Sequence, residues 1–355
     1  MTIPRSQQID LSATSYYHVV SRCVRRAFLC GVDTLTGRNF DHRRGWLVER
    51  FRYLTGAFAI DCGGFAIMSN HFHLILRIDG DRAQQWTDDE VIRRWGRVCT
   101  TGAASRYAQD QALSEDDRAE IAAKTALWRQ RLHDLSWFMK LLNEHIARRA
   151  NQEDSCKGHF WESRFKSQAL LDERAVLAAM AYVDLNPIRA NKAHCLVESD
   201  FTSVQERIVL EARAQTPSTA LAARTLPYDI AALPALLAFA DNTSGKDATP
   251  SDPTTLPCTL ANYIELVEWT GQQLREDKRG VLPIEARSVL VDLRLDPDEW
   301  LHTVRKVRRD FAFAIGAIEA LQRWRDKFKR RWIKGLGRRP HTARRGKVRD
   351  DPSPG

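Results

Sequence analysis

The tightest constraint on the fold of this chain is a pair of apolar runs, residues 58–68 and 71–78, separated only by Ser69 and Asn70. Two strand-length segments joined by two turn-forming residues fold back on one another, so an antiparallel hairpin is expected. The second run opens His71-Phe72-His73. Side chains alternate along a strand, which puts both imidazoles on one face and Phe72 on the other, with the two ring-bearing carbons about 7 Å apart. Two neutral imidazoles so placed can share one divalent ion. On a half-exposed strand, and taken alone, such a pair is more often structural.

The flanking patterns extend the hairpin into a domain. Residues 17–24 (YHVVSRCV) are rich in β-branched and aromatic side chains and read as a strand. Trp46, Leu47, Phe51 and Leu54 recur at helical spacing over 43–54, and Leu135, Phe138, Met139, Leu142 and Ile146 do so up to about 151. Residues 160–171 (FWESRFKSQALL) read as a further strand, and Asp172 is placed to cap a helix running to 185. That helix is expected to stop there, because the residue before Pro187 is biased away from helical angles. Strand, helix, strand, strand, helix, strand is the split βαβ or ferredoxin-like plan, an α+β fold. Residues from about 80 to 131 are charged and helical in tone, an insertion with solvated faces. The expected organisation is a core domain over 1–200, a helical accessory region over 201–325 with a linker at about 241–257, and a basic, disordered tail over 326–355.

Lys and Arg number 54 against 45 Asp and Glu, giving a net charge of +9, an electrostatic argument for a polyanionic partner such as nucleic acid. The seven cysteines (Cys23, Cys30, Cys62, Cys99, Cys156, Cys195 and Cys258) are scattered without a C-x-x-C pair, which argues against a zinc cassette or a disulfide framework and for reduced thiols. The first residues carry no signal-peptide pattern and no apolar run approaches the roughly 20 residues that span a bilayer. A cytoplasmic protein without a membrane partner is expected.

Tyr182 and Asn186 are four residues apart on the last helix of the core and so share a face. A core-edge tyrosine with a helix-terminating asparagine gives the same pattern. Arg164 and Lys166 alternate with Phe165, preceded by Phe160 and Trp161, a mixture that suits single strands, whose phosphates need cations and whose unstacked bases need rings. An edge strand with a solvated basic face looks alike. Arg22, Arg25 and Arg26, at the end of the first strand, extend such a patch or merely add solubility.

Three blocks, MSNHFHLILR (68–77), GHFWESRFKSQALL (158–171) and AYVDLNPIRA (181–190), together resemble the REP-associated tyrosine transposases, relatives of the insertion-sequence transposases with one catalytic tyrosine. The resemblance covers roughly residues 10 to 200. It implies that the first block is the HUH motif, with His71 and His73 binding Mg²⁺ or Mn²⁺, and that Asn186 is the third ligand, where relatives use an amide side chain. Tyr182 would be the nucleophile that joins DNA through a 5′-phosphotyrosine. The partner implied is single-stranded or hairpin DNA, and the assembly a monomer or homodimer. The insertion near 80–130 and some 150 residues after the core depart from the compact members. The alternative is a domesticated DNA-binding protein of the same fold that does not cut; its expected mark, loss of the tyrosine or of a histidine, is absent here. No G-x-x-x-x-G-K-[ST] phosphate loop occurs, consistent with an exchange of phosphodiesters that needs no triphosphate.

Overall fold

A computed structural model describes residues 4–24, 29–33, 37–240, 255–274, 283–307 and 312–336. In chain order the main elements are β1 (Tyr16–Arg22), α1 (His42–Ala57), β2 (Ile60–Ile67), β3 (His71–Ile78), α2 (Gly80–Gln85), α3 (Asp88–Val98), α4 (Ala103–Ala108), α5 (Glu115–Arg131) and α6 (Leu135–Glu153). They are followed by β4 (Lys166–Leu170), α7 (Glu173–Asp184), α8 (Asn186–Arg189), α9 (Ser203–Gln215), α10 (Leu260–Leu274), α11 (Ile284–Asp292), α12 (Pro297–Lys306), β5 (Ala314–Ile315) and α13 (Ile318–Lys327).

The hairpin forms as its turn demands, β2 against β3. The five strands lie in the order β2-β3-β1-β4-β5. Each adjacent pair among the first four is antiparallel, and the short β5 joins β4 in parallel. Alternation then assigns two layers. On one face, Phe72 packs against Trp161, and Ser21, opposite Phe72, accepts a hydrogen bond from Asn143 of α6 at 3.0 Å. The amphipathic helices α1 and α6 cover this side, with the rings of Phe58 and Phe138 edge to face. On the other face lies α7, which packs on β2, β3 and β4. Its sequence, ERAVLAAMAYVD, is apolar nearly all round, and every residue from Ala175 to Asp184 is buried, as expected of a helix covered on both sides.

The outer cover of α7 comes from late in the chain. Helices α10 and α12 pack on it, and Tyr263 of α10 donates to Asp184 Oδ2 at 2.6 Å. Ser203 Oγ and Val204 N, at the start of α9, donate to Asp184 Oδ1 at 2.7 and 3.1 Å. Burial pushes the Asp184 carboxyl above its usual range, against the opposing pull of these donors. The residues after 200 are thus built onto the core sheet. Asp172 caps α7 by accepting from Ala175 N at 2.8 Å, and its second oxygen accepts from Ala317 N at 2.6 Å, joining the same helix start to the β5–α13 loop.

A buried ion pair ties α1 to α9. Arg52 Nη1 lies 2.9 Å from Glu206 Oε1, both side chains are nearly inaccessible, and Tyr228 donates to Glu206 Oε2 at 2.9 Å. Removing one partner leaves a charge buried in apolar surroundings, so Arg52→Met is expected to lower stability by about 3–5 kcal/mol, read from urea denaturation. A loss under about 1 kcal/mol would show that the pair contributes little to holding α1 against α9.

Several expectations need correction. The 160–171 strand is shorter than its composition implies: β4 begins at Lys166, and Trp161 makes only an isolated bridge to Cys23. The helix stops where expected, α7 ending at Asp184, but not for the expected reason, because the chain stays in the helical region before Pro187. Leu185 keeps αR angles, and α8 adds another turn with Pro187 in its first turn, where no N–H is needed. The insertion, α2 to α5, is more than solvated surface: Trp86, Val91, Trp95, Val98 and Trp128 are buried within it. Helices α3 and α4 meet so closely that a Cβ on Gly96 would lie 2.1 Å from Ala104 O. Part of the tail expected to be disordered over 326–355 is anchored: residues 326–327 end α13, Ile333 is 1% exposed and Arg330 donates to Gln7 O at 2.7 Å. The rest of that tail, 337–355, and most of the expected linker, 241–254, lie outside the described residues. Among the described residues no helix is long and apolar enough to cross a membrane.

Candidate active site

The site lies where the face of the sheet under α7 reaches its open end. In register, His71 is opposite Arg22 and His73 is opposite Val20, which on its other side faces Lys166. Directly paired residues share a face and sit side by side, so the histidine pair is flanked by Arg22 and Lys166, both exposed. The His71 and His73 rings are 4.9 Å apart at 77°. Rings that share one cation at about 2.0–2.1 Å per nitrogen have centres about 5 Å apart, so the observed spacing fits common ligation. His71 Nδ1 is 2.6 Å from Asn70 Oδ1. That oxygen only accepts, which places the proton on Nδ1 and makes Nε2 the ligating nitrogen of the neutral ring.

Tyr182, four-fifths of the way along α7, faces the same spot. Its ring centre is 5.7 Å from that of His73, edge to face, and the residue is 8% exposed. The guanidinium of Arg189, carried around by α8, lies 4.7 Å from the centre of the Tyr182 ring, a cation–π contact that puts a positive charge beside the phenol. Asn186 is half-buried, and its Nδ2 donates to Tyr182 O at 2.8 Å. With the nitrogen so committed, Oδ1 is the atom that can ligate. Among the described residues no group of three or more His, Cys, Asp and Glu side chains could hold a metal. A dication held here by the two neutral imidazoles would keep its full charge to face a phosphate.

The basic and aromatic residues divide. Arg22, Arg164 and Lys166 are exposed, as phosphate contacts require. Phe160 is 2% exposed and stands edge-on to Trp161. Trp161 in turn packs on Phe72 and donates Nε1–H to Asn143 O at 2.8 Å. Phe160 is a packing residue on which no base can stack, and Trp161 is largely committed to the α6 side. Arg25 and Arg26 lie outside the described residues.

Two residues escaped the reading of the sequence. Arg189 is invisible because its role depends on α8 continuing past Pro187. His18 of β1 is wholly buried, with Nε2 2.9 Å from His73 Nδ1 and Nδ1 2.8 Å from Gln168 Oε1. Its ring is 6.1 Å from that of Tyr182. Within YHVVSR it looks like one more alternating strand residue, and only the pairing of three strands reveals its neighbours.

No family model matches the chain, and no curated protein matches it. Among solved structures it is similar to a REP-associated tyrosine transposase bound to a REP hairpin, at 9% identity and a TM-score of 0.32, over 63% of this chain and 93% of that one.

Proposed function

We propose that this chain is a metal-dependent single-stranded DNA endonuclease and strand transferase of the single-tyrosine HUH type, built on a ferredoxin-like split βαβ core. The observation that carries the reading is the convergence of His71 and His73 from β3 with Tyr182 from α7, two elements far apart in sequence, at the open end of one sheet face. A pair of imidazoles spaced for one cation beside a hydroxyl nucleophile, ringed by Arg22, Lys166 and Arg189, suits attack on a phosphodiester.

In this mechanism Tyr182 Oη forms a bond to phosphorus as the bond from phosphorus to the 3′ oxygen breaks. The phenol's proton leaves to water, and the departing 3′ oxygen takes one up. One phosphodiester replaces another, which is why no triphosphate is required. Attack by a second 3′ hydroxyl on the phosphotyrosine reverses the step and transfers the strand. Mg²⁺ or Mn²⁺, held by His71, His73 and Asn186 Oδ1, would supply neutralisation of the charge that develops on the phosphate oxygens. Arg189 adds fixed positive charge on the side of the nucleophile. The packing of Tyr182 among His73, His18 and Arg189 limits the access of water to the ring and to a linkage formed there.

The test is incubation of purified protein with end-labelled single strands from both flanks of its own gene and Mg²⁺ or Mn²⁺, resolved on a denaturing gel. A protease-sensitive shifted band that needs metal supports the proposal. Tight binding without adduct or cut product would favour the non-cleaving DNA-binding protein.

Arg22 and Lys166 should act on phosphates and not on bases. Arg22→Ala and Lys166→Ala are each expected to weaken binding about equally across sequences and to reduce the slope of log K against log salt by about 1. Fluorescence anisotropy at several salt concentrations measures this, and an unchanged slope would remove the residue from the DNA interface.

A further inference from the structure

The buried chain His73, His18, Gln168, Val307 has a direction that its far end sets. Val307, at the end of α12, offers a carbonyl oxygen, which only accepts, so Gln168 Nε2 donates to it at 3.1 Å. This turns Gln168 Oε1, another acceptor, to His18 Nδ1 at 2.8 Å. His18 Nδ1 therefore carries the proton, and Nε2 of the neutral ring accepts. The 2.9 Å approach of His18 Nε2 to His73 Nδ1 then requires the donor to be His73 Nδ1–H, which makes Nε2 the ligating nitrogen of His73. The ring planes are 16° from parallel with centres 5.1 Å apart, close to the N···N distance plus the two ring radii, so the contact runs near both ring planes.

We infer that His18 is a positioning residue that fixes the tautomer and ring orientation of His73 for metal ligation, anchored through Gln168 by the Val307 carbonyl. The inference rests on the metal site proposed above. It gives the late part of the chain a part in the site: Val307 holds the amide that holds His18. Asn70 does for His71 in one step what this relay does for His73 in three. Hydrogen-bond partners of metal-bound imidazoles raise their basicity and restrict the ring, and losing one typically costs about 10–100-fold in metal affinity.

The experiment uses the full chain with ¹⁵N-histidine. Long-range proton–nitrogen correlations on the metal-free protein should show both His18 and His73 as Nδ1–H tautomers, the two being assigned by loss of their signals in His18→Leu and His73→Ala. In His18→Leu the His73 tautomer is expected to become mixed, and Mn²⁺ affinity, read from the paramagnetic resonance of the free ion, to fall about 10–100-fold. His18→Gln, whose amide can accept from His73 and donate to Gln168, should recover affinity to within a few-fold. An Nε2–H tautomer of His73 in the wild type would overturn the relay, a result that does not depend on any variant folding. Unchanged Mn²⁺ affinity in His18→Leu, with His73→Ala defective, would overturn the positioning role alone. Absence of Mn²⁺ binding in a wild type with both Nδ1–H tautomers in place would overturn the metal site, and the positioning role with it, while the hydrogen-bond direction stood.

Discussion

Tyr182→Phe is expected to bind single-stranded DNA within a few-fold of the wild type and to lose cleavage by on the order of a thousandfold or more. The substitution removes one oxygen and keeps the ring that His73, His18 and Arg189 surround, so the fold has little reason to change. Without the hydroxyl no phosphotyrosine can form, and among the described residues no other side chain of α7 beside Tyr182 offers a nucleophile. Nicking of a labelled strand, compared with anisotropy for binding, separates the two effects. Retention of cleavage within about tenfold would mean that water attacks directly, and the protein would be a metal-dependent hydrolase that gives Tyr182 no covalent role.

The second large effect is expected at the cation site. His71→Ala removes a half-buried ring at the first position of β3, where truncation disturbs the core less than it would at His73, which is wholly buried. Loss of the cation's charge stabilisation, several kcal/mol in typical sites, corresponds to about 10²–10⁴-fold in rate. The variant should therefore resemble the wild type treated with EDTA: DNA bound, no adduct formed. Added Mn²⁺ should rescue the chelated wild type fully and His71→Ala only at much higher concentration. Cleavage that persists in EDTA would exclude this role for the histidine pair.

Local periodicity made much of this arrangement readable. The two apolar runs and their Ser69-Asn70 turn gave β2 and β3, and alternation put His71 and His73 on one face, where the structure has them. The i, i+4 spacing placed Tyr182 and Asn186 together, and they are linked by a hydrogen bond from Asn186 Nδ2 to the Tyr182 carbonyl. What escaped depends on register and distant packing. His18 meets His73 and Gln168 only because β1 lies between β3 and β4 in a given register, and a one-residue slip would turn it to the other face. The aromatics of FWESRF raised the strand reading of 160–165, but those rings pack, and pairing there is limited to the isolated bridge of Trp161 with Cys23. The covering of α7 by α10 and α12 could not be seen, because an amphipathic pattern shows that a helix has an apolar face and not which surface it meets. Likewise β5, two residues long, owes its existence to the edge that β4 offers.

The covalent attachment itself is the most direct test. Wild-type protein is incubated with a flanking single strand and Mn²⁺, the DNA is digested by nuclease, and the protein is cut with trypsin and analysed by tandem mass spectrometry. The peptide spanning 175–189, AVLAAMAYVDLNPIR, contains one tyrosine and follows Arg174. The account predicts a nucleotide or phosphate mass on that peptide with fragment ions that locate it on Tyr182, and its absence when metal is withheld. Cleaved DNA accompanied by an unmodified 175–189 peptide, or a phosphoryl group found on another residue, would contradict it.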